Sequence, residues 1–170
     1  MAISLNNYLL DQTGLEWSTT LSPWAWLLPA EVTVWFANRF ADLFLVLQDG
    51  TVHLLDVGGG ALERVAESRD DFHDLIDQDD NADLWLMIPL VDQLVAAGVL
   101  LAPGQCYGFK TPPVLGGEYT VENCGPLSAI DYLGAYGSIH QQMRDLPDGT
   151  RVVLKVDGAQ VDLKVPDNPD

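Results

Sequence analysis

Alternating apolar residues predict two β-hairpins in the chain. The first joins residues 43–47 to residues 51–55 across Asp49-Gly50, a dipeptide that favours a two-residue type I′ turn. A two-residue loop gives the cross-strand pairs Leu47–Val52, Val46–His53, Leu45–Leu54 and Phe44–Leu55. Because both resulting faces are largely apolar, we expect this hairpin at the centre of a sheet that is covered on two sides.

The second hairpin turns at Asp157-Gly158 and separates apolar from polar positions. In the same two-residue register, one face carries Val152, Leu154, Val156, Ala159, Val161 and Leu163. A slip of one residue would move this apolar set to the solvent face, so the register is well specified. We therefore expect a strand pair that buries one side.

Helical spacing of apolar residues predicts two helices in the middle of the chain. Ser68 is a suitable N-cap for the first, whose apolar stripe is formed by Phe72, Leu75 and Ile76. The second spans about residues 81–97 and ends at Gly98. Pro89 lies inside it, which predicts a kink or a restart.

A third helix is predicted over about residues 128–144, although Gly134 and Gly137 weaken it. The apolar segment 21–41 fits either a helix or a strand. Together these elements predict one α+β domain, with a mainly antiparallel sheet built from hairpins and packed with three helices. We expect the hairpins at about 43–55 and 152–165, the domain at 1–165 and a flexible tail at 166–170.

Charge is the outlying property of the composition. Twenty-five acidic residues stand against eight basic ones, which gives a formal net charge of −17 at pH 7. A field of this sign repels phosphate backbones and anionic membranes, and it attracts cations or a basic protein surface. Acidity also keeps proteins soluble, so the charge alone leaves both interpretations open.

The densest acidic run lies between Glu63 and Asp83. Its members that we assign to partner binding are Asp70, Asp71, Asp74, Asp77, Asp79 and Asp80. On a helix, Asp70, Asp74 and Asp77 lie on one side, away from Phe72 and Ile76. The alternative is a solvated helix face followed by a polar loop.

The sequence offers little catalytic chemistry. Segment 77–83 has several oxygen ligands but lacks the glycine and the distal glutamate of an EF-hand loop. No G-x-S-x-G is present, and Cys106 and Cys124 form neither a C-x-x-C nor a disulfide scaffold. We therefore expect no catalytic residue, no metal and no cofactor. The N-terminus lacks the basic and apolar regions of a signal peptide, so a cytoplasmic protein without membrane contact is expected.

Residues 104–124, GQCYGFKTPPVLGGEYTVENC, carry a dense motif. Its residues are Tyr107, Phe109, Lys110, Pro112, Pro113, Leu115, Gly116, Gly117, Glu122 and Asn123. With segments 50–56, 62–69, 139–142 and 145–150, this motif resembles a bacterial family formerly listed as a domain of unknown function. That family is the C-terminal domain of a type VI secretion immunity protein, the antidote to a DNase effector.

The resemblance covers about residues 24–156 and implies a bacterial immunity protein that binds a toxic effector. The motif itself suits a structural role, because its prolines fix an extended segment and its glycines permit positive φ. Lys110 is expected to pair with a local carboxylate.

Three functions remain open from the sequence. The first is an immunity protein that blocks a toxic effector, such as a nuclease, through its acidic surface without binding nucleic acid. The second is a non-catalytic interaction module of regulatory role. The third, with the weakest support, is a hydrolase with an acidic metal site.

Overall fold

Four antiparallel strands form the central sheet of the computed structural model, which describes residues 4–156 and 159–164, with side chains described through residue 153. The strands are β1 (Val32–Ala37), β2 (Leu43–Leu47), β3 (Val52–Asp56) and β4 (Ala61–Ala66), and they neighbour one another in that order. The predicted hairpin, β2–β3, therefore lies at the centre of the sheet.

The turn between β2 and β3 differs from the prediction by one residue. Leu45 lies opposite His53, and the Leu47 amide donates to the Thr51 carbonyl at 3.0 Å, so the loop has three residues. Gly50 has a φ of 86°, whereas Asp49 is not among the described residues with positive φ. A type I′ turn needs positive φ at both central residues, so that predicted turn and its pairs are wrong.

The one-residue shift leaves both faces of the hairpin apolar. Leu43, Leu45 and Leu55 are fully buried on one face, while Phe44 and Val52 are fully buried on the other. Each face therefore contributes to a separate part of the core. The prediction of a sheet covered on two sides is confirmed.

Helices α2 (Arg69–Ile76), α3 (Asn81–Trp85) and α4 (Ile88–Ala96) cover the Phe44 face. The Asp71 amide donates to Ser68 Oγ at 3.0 Å, which confirms the predicted N-cap. The predicted helix 81–97 is divided, and its second part restarts one residue before Pro89. Gly98 follows with a φ of 77°, as expected for a helix stop.

The Leu45 face is covered by α5 (Ala129–Met143) and by the segment that contains α1 (Trp17–Thr20). Trp24 is fully buried there, and its indole NH donates to the Leu133 carbonyl at 2.9 Å. Segment 21–41 is thus mixed, because it contains a 3₁₀ turn at Ser22–Trp24 and then strand β1.

Two further strand pairs complete the α+β domain. β5 (Gln105–Phe109) pairs with β6 (Cys124–Ser128), and β7 (Arg151–Val156) pairs with β8 (Ala159–Lys164) as a separate two-stranded sheet. In the second pair Val152 faces Leu163 and Val156 faces Ala159, which confirms the predicted register. The predicted turn at Asp157-Gly158 and tail at 166–170 lie outside the described residues. Within the described residues, no helix is long and apolar enough to span a membrane.

Candidate partner-binding surface

Exposed carboxylates occupy the outer side of α2 and the turn that follows it. Phe72 and Ile76 point inward, where Phe72 stacks on Trp85 with ring centroids 5.1 Å apart. The residues assigned above to partner binding form what we call the acidic surface: Asp70, Asp71, Asp74, Asp77, Asp79 and Asp80. All of them except Asp71 are exposed.

Asp71 differs from the other members because it caps its own helix. Its carboxylate accepts a hydrogen bond from the Glu67 amide at 2.8 Å, while its amide donates to Ser68 Oγ. This reciprocal arrangement is a variant of the capping box, in which the acid accepts from the amide before the N-cap, and it stabilises the N-terminus of α2. The sequence places Asp71 in the acidic run but does not distinguish this role.

The nearest described cations are engaged with other groups. Arg64 forms an ion pair with Glu67, and the Arg69 guanidinium lies over the Trp35 ring, 5.6 Å from its centroid. A cation held against an aromatic face is less available to a carboxylate. The described side chains therefore leave the exposed aspartates of the acidic surface free to attract an external cation.

The motif segment forms a tightly bonded loop between β5 and β6, and Asn123 closes it. Asn123 Oδ1 accepts from the Thr111 amide at 2.9 Å. Its Nδ2 donates to the Thr111 carbonyl at 3.0 Å and to the Glu118 carbonyl at 2.8 Å. One amide side chain thus holds both ends of the loop.

The two prolines and two glycines of the motif shape the tip of this loop. Pro112 starts a 3₁₀ turn, and its carbonyl accepts from the amides of Leu115 and Gly117. Gly116 has a φ of 89°, which favours glycine. A Cβ at Gly117 would overlap the Thr111 carbonyl, so this position requires glycine.

The aromatic residues of the motif anchor the loop to the core. Tyr107 and Phe109 are buried, and both rings lie about 5.5 Å from Phe40. The Tyr107 hydroxyl donates to the Val99 carbonyl at 2.6 Å. Lys110 Nζ donates to the backbone carbonyl of Glu122 at 2.8 Å, so the predicted carboxylate partner of Lys110 is wrong.

The two thiols and His140 are buried and have structural roles. Burial raises the pKa of Cys106 to about 12 and that of Cys124 to about 11, so both thiols are protonated at neutral pH. Burial also lowers the pKa of His140, whose Nε2 donates to the Val57 carbonyl at 2.7 Å. Among the described residues, no group of three or more His, Cys, Asp or Glu side chains could hold a metal ion.

A second set of carboxylates was not identified from the sequence. Asp42, Asp56, Glu63 and Asp83 line one cavity of about 390 Å³ between the central sheet and the helices. The four residues belong to different segments of the chain, and the strand register brings Asp42, Asp56 and Glu63 together. The correct register of β2 with β3 would have indicated this set. The predicted hairpin had a register that differed by one residue, so it did not place Asp42 opposite Asp56.

Comparisons with known proteins give one matching family and distant similarity to solved structures. The crystal structure of Atu4351 from Agrobacterium tumefaciens has 16% sequence identity and a TM-score of 0.46, over 86% of this chain and 69% of that chain. No curated protein sequence matches the chain. Residues 66–140, which contain α2 to α4 and the motif loop, match the family described as T6SS immunity protein Tdi1, C-terminal, and this match supports the resemblance read from the motif.

Proposed function

We propose that this protein is an immunity protein of a type VI secretion system, which binds and blocks a toxic effector. We further propose that the effector is a nuclease and that the acidic surface contacts it. The family match supports an immunity role for the matched segment. The proposals that the effector is a nuclease and that the acidic surface contacts it are supported by charge and geometry.

One observation carries the proposal. The acidic surface lies entirely within the segment 66–140 that matches the immunity family. Asp70, Asp71 and Asp74 lie on α2, whose other side is buried, and five of the six aspartates are exposed. A rigid helix that presents unneutralised carboxylates suits recognition of a fixed pattern of cations.

A nuclease has such a pattern, because its substrate is a polyanion that is bound mainly through phosphate contacts with Lys and Arg. Carboxylates on this protein would occupy the positions of those phosphates and exclude the substrate. The net charge of −17 would also accelerate association with a basic surface. Binding alone would then suffice for inhibition, with no catalytic group required.

The test uses the protein encoded by the gene adjoining that of this chain, since immunity proteins are encoded beside their effectors. The variant Asp70→Lys/Asp74→Lys/Asp77→Lys, called the α2 variant, reverses three exposed charges on α2 and its C-cap. The matched control, Glu16→Lys/Glu31→Lys/Asp131→Lys, makes the same charge change on exposed residues outside α2 to α4. Asp131 matches Asp70 because each lies in the first turn of a helix.

We expect the α2 variant to bind the adjoining gene product at least ~100-fold more weakly than wild type, because close interfacial charge pairs couple by several kcal/mol. The affinity of the control variant should fall roughly tenfold or less, because it loses only long-range attraction from the net charge. Calorimetry would measure both. Equal losses in the two variants would remove the acidic surface from the interface, and no binding by wild type would remove the immunity role.

A further inference from the structure

The cavity lined by Asp42, Asp56, Glu63 and Asp83, which we call the acidic pocket, follows from the register of the sheet. Leu54 lies opposite Phe44 on one side and opposite Glu63 on the other, so these side chains share a face. Asp56 is two residues beyond Leu54 and therefore points to the same side. Asp42 precedes β2 at the same end of the sheet, and its carboxylate accepts from the Val57 amide at 2.9 Å.

Asp42 forms the inner wall of the acidic pocket. It is only 8% exposed, and its second carboxylate oxygen accepts from Asn38 Nδ2 at 3.0 Å. Both hydrogen-bond donors are neutral. Through residue 153, where side chains are described, neither Asp42 nor Asp56 forms an ion pair with a cation. The carboxyl group is thus held in place, and no described cation pairs with it when it ionises.

The pKa of Asp42 reflects this arrangement. Burial and the neighbouring carboxylate of Asp56 raise it from its ordinary range to about 7. A buried acid next to a second acid is costly to ionise unless a cation approaches.

The remaining walls of the acidic pocket are apolar and open to solvent. Leu84 is 69% exposed and Tyr119 is 53% exposed, and Met87 and Leu90 also line the cavity. Large exposed apolar side chains next to carboxylates suit a ligand with an aliphatic stem and a cationic head. The ring of Tyr119 adds a flat surface on which a guanidinium can stack.

We propose that the acidic pocket receives an arginine side chain of the basic partner. The occupant is an arginine because its planar guanidinium can bond several carboxylates at once and stack on an aromatic ring, which a lysine ammonium does not do as well. This inference rests on the proposed function, because the effector would supply that arginine. It adds a specific, concave contact to the broad attraction of the acidic surface.

The test uses a peptide probe and needs no effector. The peptide acetyl-Leu-Arg-Leu-amide is titrated into ¹⁵N-labelled protein, and acetyl-Leu-citrulline-Leu-amide serves as the neutral isostere. The variant Glu63→Gln/Asp83→Asn removes two exposed carboxylates of the acidic pocket. Its matched control, Asp70→Asn/Asp74→Asn, removes two exposed carboxylates of α2.

The arginine peptide should produce saturating amide shifts at Leu54, Asp56, Met87 and Tyr119, and the citrulline peptide should bind roughly tenfold more weakly or not at all. The pocket variant should bind the arginine peptide several-fold more weakly than wild type, while the α2 control stays within about twofold. Equal binding of the two peptides to wild type would overturn the proposal. Equal losses in the two variants, or shifts located elsewhere, would do the same.

These outcomes are separable from failure of the proposed function. Peptide binding in the acidic pocket together with no binding of the adjoining gene product would retain the pocket and remove the immunity role. Binding of that gene product together with no peptide response in the acidic pocket would retain the immunity role and remove the pocket.

Discussion

Replacement of Asn123 by alanine tests whether the motif loop is a structural element. The side chain makes three hydrogen bonds of 2.8 to 3.0 Å, one from the Thr111 amide and two to the carbonyls of Thr111 and Glu118. At about 1 kcal/mol net for each bond, Asn123→Ala should lower the free energy of unfolding by about 3 kcal/mol. For a chain of this size, the corresponding fall in Tm is about 6–12 °C.

The measurement is urea unfolding followed by tryptophan fluorescence, with Glu122→Ala as the control. Glu122 is the adjacent motif residue, its side chain is exposed, and its contact with Lys110 uses the backbone carbonyl. The control should change stability by about 0.5 kcal/mol or less. A loss below about 1 kcal/mol for Asn123→Ala, accompanied by weaker binding of the effector, would instead make the motif a contact surface.

Three further predictions concern the glycines of α5, the carboxyl group of Asp42 and the two thiols. Gly134→Ala should raise the unfolding free energy by up to about 1 kcal/mol, because the added Cβ would meet open space. Gly137→Ala should lower Tm, because the added Cβ would lie 2.8 Å from the carbonyl oxygen of Pro23. Asp42 holds a proton in the folded state that the unfolded chain releases, so its contribution to stability should fall as pH rises from about 4 to about 7. In urea titrations at several pH values, Asp42→Asn should flatten that dependence. Cys106 and Cys124 should resist a thiol reagent at pH 8 in the folded protein and react fully in urea.

Local patterns in the sequence predict the elements and the register of β7 with β8, but not the alignment of β2 with β3. Asp49-Gly50 is compatible with a two-residue turn and with a three-residue loop that ends in a left-handed glycine. The choice depends on Thr51, whose amide and hydroxyl both donate to the Asp49 carboxylate at 3.0 and 2.6 Å. Those bonds favour the longer loop and shift every pair by one residue. Both faces of this hairpin are apolar, so the hydrophobic pattern could not detect the shift.

The acidic surface and the acidic pocket show that sequence patterns predict local sites but not sites formed by distant segments. The acidic surface is local, since α2 and the next turn supply all of it, and the sequence therefore predicts its members. The acidic pocket is not local, because Asp42, Asp56, Glu63 and Asp83 converge only through strand register and the packing of α3 and α4. Asp71 belongs to the first feature by sequence, yet the structure gives it a second role as a helix cap.

Glycines in the last helix show how tertiary contacts outweigh local propensity. Gly134 and Gly137 weaken a helix in isolation, but α5 continues through both without a break. Gly137 permits close approach of the backbone at Pro23, and its carbonyl accepts from the Trp26 indole at 3.1 Å. Packing against the N-terminal segment therefore supplies the stability that the sequence of α5 lacks.

The central claim is that this acidic protein blocks a basic effector through electrostatic complementarity. The most direct test is the dissociation constant of its complex with the adjoining gene product, measured between about 50 mM and about 300 mM NaCl. The account predicts that the dissociation constant rises by at least ~10-fold over this range, mainly through slower association. A tight complex whose dissociation constant stays within about twofold would contradict it, because screening would then have no charge contact to weaken.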